Sequence, residues 1–243
     1  MRQFGLIGYP LSHSFSQKFF TDKFEKEGLA DCKYTAYSIP AIAELPGLLK
    51  SHPSLEGLNV TIPYKEQVLR YLTEQSPVVQ QVGACNCIRI QQGKLTGYNT
   101  DVLGFEQSLL MHLQPHHKKA LILGTGGAGK AVEYVLKKRN IRYRYVSRMP
   151  SVNHLSYLQV TPAVLAEYTL IINSTPLGMY PNITQAPPIP YGALTPKHYL
   201  FDLIYNPART LFLQQGEQRG AAVQNGLDML IIQAEESWKI WNG

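Results

Sequence analysis

The chain has 243 residues, 44% of them apolar and 16% charged, with a formal net charge of +6. This suits one large or two modest globular domains, and no apolar run approaches the length that spans a bilayer. The charge favours anionic ligands, but the basic residues are scattered outside 137–148 and lack aromatic interleaving or zinc spacing, so no nucleic-acid partner and no membrane are expected.

Met1-Arg2-Gln3-Phe4-Gly5-Leu6-Ile7 is too short and too soon polar for a signal peptide and reads as a first strand, 2–8. Further strands are predicted at 33–38, 57–62, 85–91 and 94–99, with helices over 14–27, 41–50, 64–73 and 77–83. Gln91-Gln92-Gly93-Lys94 turns the last two strands into a hairpin. After the first strand, Ser14 and Gln17 make a capping box, and Ser12 with Ser14 at a helix start can also hold a carboxylate. In Asn59-Val60-Thr61-Ile62-Pro63-Tyr64-Lys65, Asn59 and Thr61 share a strand face. Pro63 then opens a helix and Lys65 stands at the strand's end, a common place for sites in α/β proteins. Cys85 and Cys87 alternate in a strand and share a face, with Asn86 on the other. Three cysteines without a secretion signal read as reduced thiols in the cytoplasm, and no metal site is expected. Asn99-Thr100-Asp101 ends a strand and starts a helix, with Asp101 readable as an N-cap.

A helix is predicted over 102–113, then a polar linker, Gln114-Pro115-His116-His117-Lys118-Lys119, then a buried strand, 120–123. Gly124-Thr125-Gly126-Gly127-Ala128-Gly129 fits G-x-G-x-x-G between that strand and a helix at 127–139, the context the motif needs to cradle a pyrophosphate. Strands follow near 142–147, 169–173 and 199–203, and a C-terminal helix spans 227–241, with Leu227, Leu230, Ile231, Ala234, Trp238 and Trp241 at core-packing spacing. An NAD site places an acid on the ribose roughly 20 residues past the turn. Here no Asp or Glu occurs between Glu133 and Glu167, and Arg148 stands at the strand end, which favours the 2′-phosphate of NADP. Arg142 and Arg144 read as a solvated face.

These segments resemble the shikimate dehydrogenase family over nearly the whole chain. The resemblance is carried by Ser12-His13-Ser14, the Asn59–Lys65 heptapeptide, Gly83-Ala84-Cys85-Asn86, Asn99-Thr100-Asp101, the glycine-rich turn, Asn173-Ser174-Thr175-Pro176-Leu177-Gly178-Met179, Asp202-Leu203-Ile204-Tyr205-Asn206-Pro207 and the segment from Gly226 to Ala234. It implies a two-domain α/β fold. Residues 1–100 plus 226–243 would form a mixed-sheet substrate domain, and 101–225 a Rossmann-type parallel-sheet NADP domain. It implies NADPH-dependent reduction of 3-dehydroshikimate to shikimate in a cytoplasmic monomer or homodimer.

The resemblance also implies residue roles. Ser12 and Ser14 would bind the substrate carboxylate. Asn59, Thr61, Asn86, Asp101 and Gln233 would hold ring hydroxyls with Tyr205 nearby, and Lys65 and Asp101 would be the catalytic pair. Gly124, Gly126, Gly127, Ala128, Gly129, Ser147, Arg148, Asn173, Thr175, Leu203, Gly226 and Met229 would surround the cofactor. The chain departs from the family where Ser147-Arg148-Met149 replaces Asn-Arg-Thr, since Met149 has no hydroxyl to offer a phosphate. It departs again at 150–158, which is too short and too rich in Pro, Ser and Asn for the usual helix, so a trimmed nucleotide domain is expected. Cys87 replaces a threonine. Alternatives are a quinate/shikimate dehydrogenase using NAD, a non-catalytic shikimate-binding regulator, and a folate-type dehydrogenase of similar build. The serine pair fits the folate-type reading poorly.

Overall fold

A computed structural model describes residues 1–11, 15–149, 151–152 and 154–243. The chain divides into two compact units, Met1–Thr100 with Gln233–Gly243, and Asp101–Ile232.

The first unit carries β1 (Arg2–Gly8), β2 (Cys32–Ser38), β3 (Leu55–Val60), β4 (Glu74–Gln75), β5 (Cys87–Gln91) and β6 (Lys94–Tyr98), in the order β2-β1-β3-β5-β6-β4. β1 pairs parallel with β2 and β3, while β5 pairs antiparallel with β3 and β6, giving the mixed sheet expected. Side chains alternate across a strand, so β1 feeds two cores. Phe4 and Leu6 join Phe20, Phe24, Tyr34 and Trp241, whereas Ile7 joins Leu58, Val60 and Ile88. The first core is an aromatic stack built from helix α1 (Phe15–Lys26) and the end of the C-terminal helix (Leu227–Asn242). Trp241 lies 5.0 Å from Phe4 and donates its indole N–H to the Ile88 carbonyl at 3.0 Å. Gly57 makes room for it, because a Cβ there would meet Trp241 at 2.4 Å.

Three expectations are corrected in this unit. Cys85 and Cys87 do not share a face: β5 begins at Cys87, the alternation therefore does not reach Cys85, and the two thiols enter opposite cores. The helix predicted over 64–73 is a short 3₁₀ turn, Gln67–Tyr71, and Pro63 lies in a turn behind a cis Ile62–Pro63 bond rather than in a helix. Tyr64 is drawn fully into the core, where its hydroxyl donates to the Ile39 carbonyl, and a helix starting at Pro63 is lost. β3 stops at Val60, so Thr61 lies just past it, although its N–H still bonds the Ile7 carbonyl at 2.9 Å. The remaining helices are α2 (Leu45–Ser51) and α3 (Pro77–Val82), the latter capped by Ser76.

The second unit carries β7 (Lys119–Leu123), β8 (Arg142–Ser147), β9 (His154–Ser156), β10 (Leu170–Asn173), β11 (Tyr199–Asp202) and β12 (Ala222–Gln224), in the order β12-β11-β10-β7-β8-β9. Every pairing is parallel. Counted from β7 the order is 6-5-4-1-2-3, the doubly wound arrangement, with its switch point between β7 and β10. Helix α4 (Thr100–Leu110) precedes the sheet, and α5 (Gly127–Lys138), α6 (Pro162–Glu167) and α7 (Leu211–Glu217) connect its strands; the C-terminal helix is α8. β9, α6, α7 and β12 go beyond the sequence pattern. Each is seven residues or shorter, and α6 and α7 are started by the side-chain caps Thr161 and Thr210. β9 pairs parallel with β8 after only six residues, although such crossovers usually take a dozen or more. None of the described residues in 148–153 is helical.

α4 begins at Thr100 and ends at Leu110, not at 102 and 113. Gln114–Lys119 is not an interdomain linker but an ordered connection inside this unit, because the unit boundary falls at Thr100/Asp101. His117 is buried there. Its Nδ1 accepts the Gln114 N–H at 2.9 Å and its Nε2 lies 3.2 Å from the Lys197 carbonyl. Burial and the neighbouring His116 depress its pKa to about 4, although the Lys197 contact opposes them. In α8, Ala234 and Trp241 are buried as expected, Leu227 and Ile231 are exposed rather than core, and Met229 is buried as well.

Candidate active site

In the first unit the sheet end builds one buried polar network from residues far apart in sequence. Asn59 receives the Tyr34 hydroxyl on its Oδ1 at 2.8 Å and gives its amide to Ser237 Oγ at 3.0 Å. Asn86 gives its amide to Thr100 Oγ1 at 2.9 Å and, more weakly, to Gln233 Oε1 at 3.5 Å, while its Oδ1 accepts the Thr100 N–H at 2.6 Å. Ser237 closes the group, donating to the Gln233 carbonyl at 2.8 Å and lying 3.3 Å from Thr100 Oγ1. All of these side chains are less than a tenth exposed, so each bond replaces one lost to water.

Three predicted residues, Asn59, Asn86 and Gln233, are therefore brought together. Tyr34, Thr100 and Ser237 hold them in place, and sequence reasoning misses these positioning residues. Ser237 was findable, since it sits four residues after Gln233 on the same helix face.

The two predicted catalytic residues hang on the same short segment. The Lys65 carbonyl accepts the Cys85 N–H at 2.8 Å, and Asp101 directly follows Thr100, whose N–H is tied to Asn86. Residues 85 and 86 thus anchor the chain at both positions. Asp101 is buried and Lys65 half-buried. Thr61 is half-buried beside β1, its Cγ2 filling the space that Gly8 leaves open. Ser12 and Ser14 lie outside the described residues. A groove of about 660 Å³ at the β4 edge, lined by Leu72, Gln75, Ser76, Gln80, Thr96 and Tyr98, contains none of the candidate residues.

In the second unit the glycine-rich turn leaves β7 at the switch point. Gly124 has φ +100°, a left-handed conformation that suits glycine, and a Cβ there would meet Thr175 at 2.8 Å. Gly126 is the extended N-cap of α5, and a Cβ on it would meet nothing within 4 Å. Packing therefore does not demand glycine at 126, and the open space beside a helix N-terminus fits an approaching pyrophosphate. Gly127 and Ala128 open α5, and Gly129 is buried against the Gly124 carbonyl and the Tyr145 ring. Ser147 ends β8, its Oγ accepting the Met149 N–H at 3.2 Å; Arg148 and Met149 are exposed.

The carboxylate nearest in sequence to the end of β8, Glu133, is engaged by partners on β8 and α5. Glu133 accepts the Tyr143 and Tyr145 hydroxyls and pairs with Lys137 at 2.6 Å. Burial would raise its pKa, but these partners outweigh it and the net shift is downward.

Asn173 and Thr175 border this turn, but Asn173 is fully buried, with its amide on Asp202 at 3.0 Å and its oxygen accepting the Thr175 N–H and hydroxyl. Asp202 is itself fully buried and accepts from Thr210, Ile204 and Asn173. Burial raises its carboxyl to about 6 despite those bonds. Gly226 packs so tightly on Leu203 that a Cβ would come within 2.2 Å of the Leu203 carbonyl oxygen. Met229 is buried and Tyr205 half-buried. Among the described residues, no three or more His, Cys, Asp or Glu side chains group as a metal site, and no helix is long and apolar enough to cross a membrane.

A doubly wound parallel sheet with a glycine-rich turn at its switch point, joined to a mixed-sheet unit with a buried amide and hydroxyl cluster, defines a two-unit α/β protein of the dinucleotide-dependent dehydrogenase class. The profile of the "Shikimate dehydrogenase substrate binding domain" matches residues 6–88. A shikimate dehydrogenase (NADP(+)) from Methanosphaera stadtmanae is 33% identical over 98% of this chain and 90% of its own length. One from Staphylococcus aureus strain Newman is 37% identical over 98% and 92%. The solved structure of shikimate 5-dehydrogenase from Thermus thermophilus, in complex with NADP(H) and shikimate, superposes with a TM-score of 0.88 at 32% identity, covering 100% of this chain and 94% of that one. A quinate dehydrogenase from Corynebacterium glutamicum in complex with NAD gives a TM-score of 0.88 at 26% identity over the same shares. The chain belongs to the shikimate dehydrogenase family.

Proposed function

We propose that this protein catalyses the reversible NADPH-dependent reduction of 3-dehydroshikimate to shikimate, in the pathway to chorismate and the aromatic amino acids. The observation that carries the reading is the match of the whole chain, both units included, to relatives named for that activity with NADP(+). Residues 1–100 with the C-terminal helix bind the substrate, and 101–225 bind the cofactor.

Ser12 and Ser14 take the substrate carboxylate. Asn59, Thr61, Asn86, Asp101 and Gln233 position the ring hydroxyls, directly or through the Thr100–Ser237 network, and Tyr205 borders the substrate. Gly124, Gly126, Gly127, Ala128 and Gly129 take the pyrophosphate on backbone N–H groups, and Ser147 and Arg148 take the 2′-phosphate. Asn173, Thr175, Leu203, Gly226 and Met229 form the remaining wall, with Asn173 acting through the backbone it braces.

NADPH supplies the hydride. Lys65, as an ammonium, gives a proton to the substrate C3 oxygen as negative charge develops there, and takes it back in the oxidative direction. Asp101 orients the lysine and accepts a hydrogen bond from the neighbouring ring hydroxyl. The protein works in the cytoplasm as a monomer or homodimer, and its three free cysteines suit a reducing compartment.

Initial rates of shikimate and quinate oxidation, each with NADP+ and NAD+, test the reading. Shikimate with NADP+ is expected to lead by about tenfold or more, the factor that 1.4 kcal/mol of discrimination gives. Comparable rates with quinate or NAD+ would place the chain with broader-specificity dehydrogenases. Shikimate binding without turnover for any pair would make it a non-catalytic binder.

A further inference from the structure

β8 and β9 end together. Ser147 of β8 pairs with Ser156 of β9 as the last rung of the parallel ladder, so the next residues, Arg148 and Tyr157, leave the two strands side by side. Paired residues of neighbouring strands lie about 5 Å apart and face the same way. Tyr157 starts a short 3₁₀ turn, Tyr157–Gln159, and its ring packs half-buried on the core of the second unit. Among the described residues no hydrogen bond engages its hydroxyl, and the oxygen is not sealed from solvent. The Arg148 guanidinium acts on that hydroxyl: burial raises the phenol's pKa and the arginine pulls it back. Met149, the residue after Arg148, is 82% exposed, and its side chain has nothing to donate to an anion.

We propose that Tyr157 is a specificity-determining residue of this chain, its hydroxyl donating to the same 2′-phosphate that Arg148 holds. The short β8–β9 connection makes this possible. None of the described residues between the strands is helical, and β9 comes directly alongside the end of β8 and carries a phenol to the strand end that bears Arg148, where the Met149 side chain offers no donor. A neutral O–H donor adds a charge-assisted bond to the phosphate without adding charge. Its effect is confined to nucleotides that carry the 2′-phosphate. The inference rests on the NADP reading given above.

The test is isothermal titration of the purified protein with NADP+, NAD+ and 2′,5′-ADP, comparing wild type, Tyr157→Phe and Arg148→Gln. Phenylalanine keeps the ring that packs on the core, and an unchanged thermal midpoint verifies this. Tyr157→Phe is expected to weaken NADP+ and 2′,5′-ADP about tenfold, equivalent to 1.4 kcal/mol, and to leave NAD+ within about twofold. Unchanged NADP+ affinity, or equal weakening of NADP+ and NAD+, would overturn the proposal. If Arg148→Gln abolishes the preference for NADP+ while Tyr157→Phe keeps it, the proposal fails and the NADP reading stands. If Arg148→Gln also keeps the preference, both fail.

Discussion

Asp202 gives the sharpest test of the energetics, because one buried carboxyl carries a definite pH signature. Its carboxylate is wholly excluded from water and accepts from Thr210 Oγ1 at 2.6 Å, Asn173 Nδ2 at 3.0 Å and the Ile204 N–H at 3.0 Å. Burial still dominates and raises the carboxyl from 3.8 to about 6. The folded state therefore holds a proton between those values that the unfolded chain has released. Folding stability due to this group is fully present below pH 3.8, falls as pH rises to about 6, and is flat above. At 1.36 kcal/mol per pH unit the change is about 3 kcal/mol.

Asp202→Asn removes the titration while keeping the shape. Its oxygen retains the Ile204 and Asn173 bonds, and its amide can donate to Thr210, whose hydroxyl can turn to accept. The assay is urea denaturation of wild type and variant from about pH 4 to pH 8, read as the difference between them. Subtraction cancels every other group, including His117, whose depressed pKa acts in the opposite sense and costs stability as pH falls below 6.5. The wild type should lose about 2.4 kcal/mol relative to the variant as pH rises from about 4 to 7. A difference that stays flat within about 0.5 kcal/mol would refute the claim that burial outweighs the three hydrogen bonds.

Lys65→Met should lower kcat for shikimate oxidation by about 10²–10⁴-fold, the usual worth of a positioned proton donor, with the circular-dichroism spectrum unchanged; near-normal turnover would remove Lys65 from the chemistry. Ser237→Ala strips the hydroxyl that accepts from Asn59 and donates to Gln233. It should cost about 1–3 kcal/mol in thermal or urea unfolding and raise the KM for shikimate more than it lowers kcat. Gly226→Ala drives a methyl to within 2.2 Å of the Leu203 carbonyl oxygen, so it should destabilise by about 1–3 kcal/mol or more in the same unfolding assay.

Much of the second unit was legible in the chain. The strand–glycine turn–helix order, the buried runs of β7, β10 and β11, and the missing acid near the end of β8 are local patterns, and local periodicity and turn chemistry carry them directly. The elements that escaped were short: β9, β12, α6 and α7 each have too few residues to show a period. The false helix at 64–73 failed for a different reason, because Tyr64 is worth more buried with its hydroxyl on Ile39 than placed on a helix surface.

The residue types at the candidate sites, and the segments that carry them, were set by the sequence alone, since Asn59, Asn86, Asp101 and Gly124–Gly129 stand at or beside strand ends readable from pattern, and Lys65 lies in the turn that follows β3. Which of them meet, and through what, belongs to the tertiary structure. Asn59 and Ser237 are 178 positions apart, and Asn86 and Gln233 are 147 apart. The opposite cores of Cys85 and Cys87, the burial that lifts the Asp202 carboxyl, and the pairing that sets Tyr157 beside Arg148 are equally nonlocal. Side-chain period and turn preference act over a few residues. Burial and strand register depend on what packs against an element from elsewhere in the chain, and no local pattern records that.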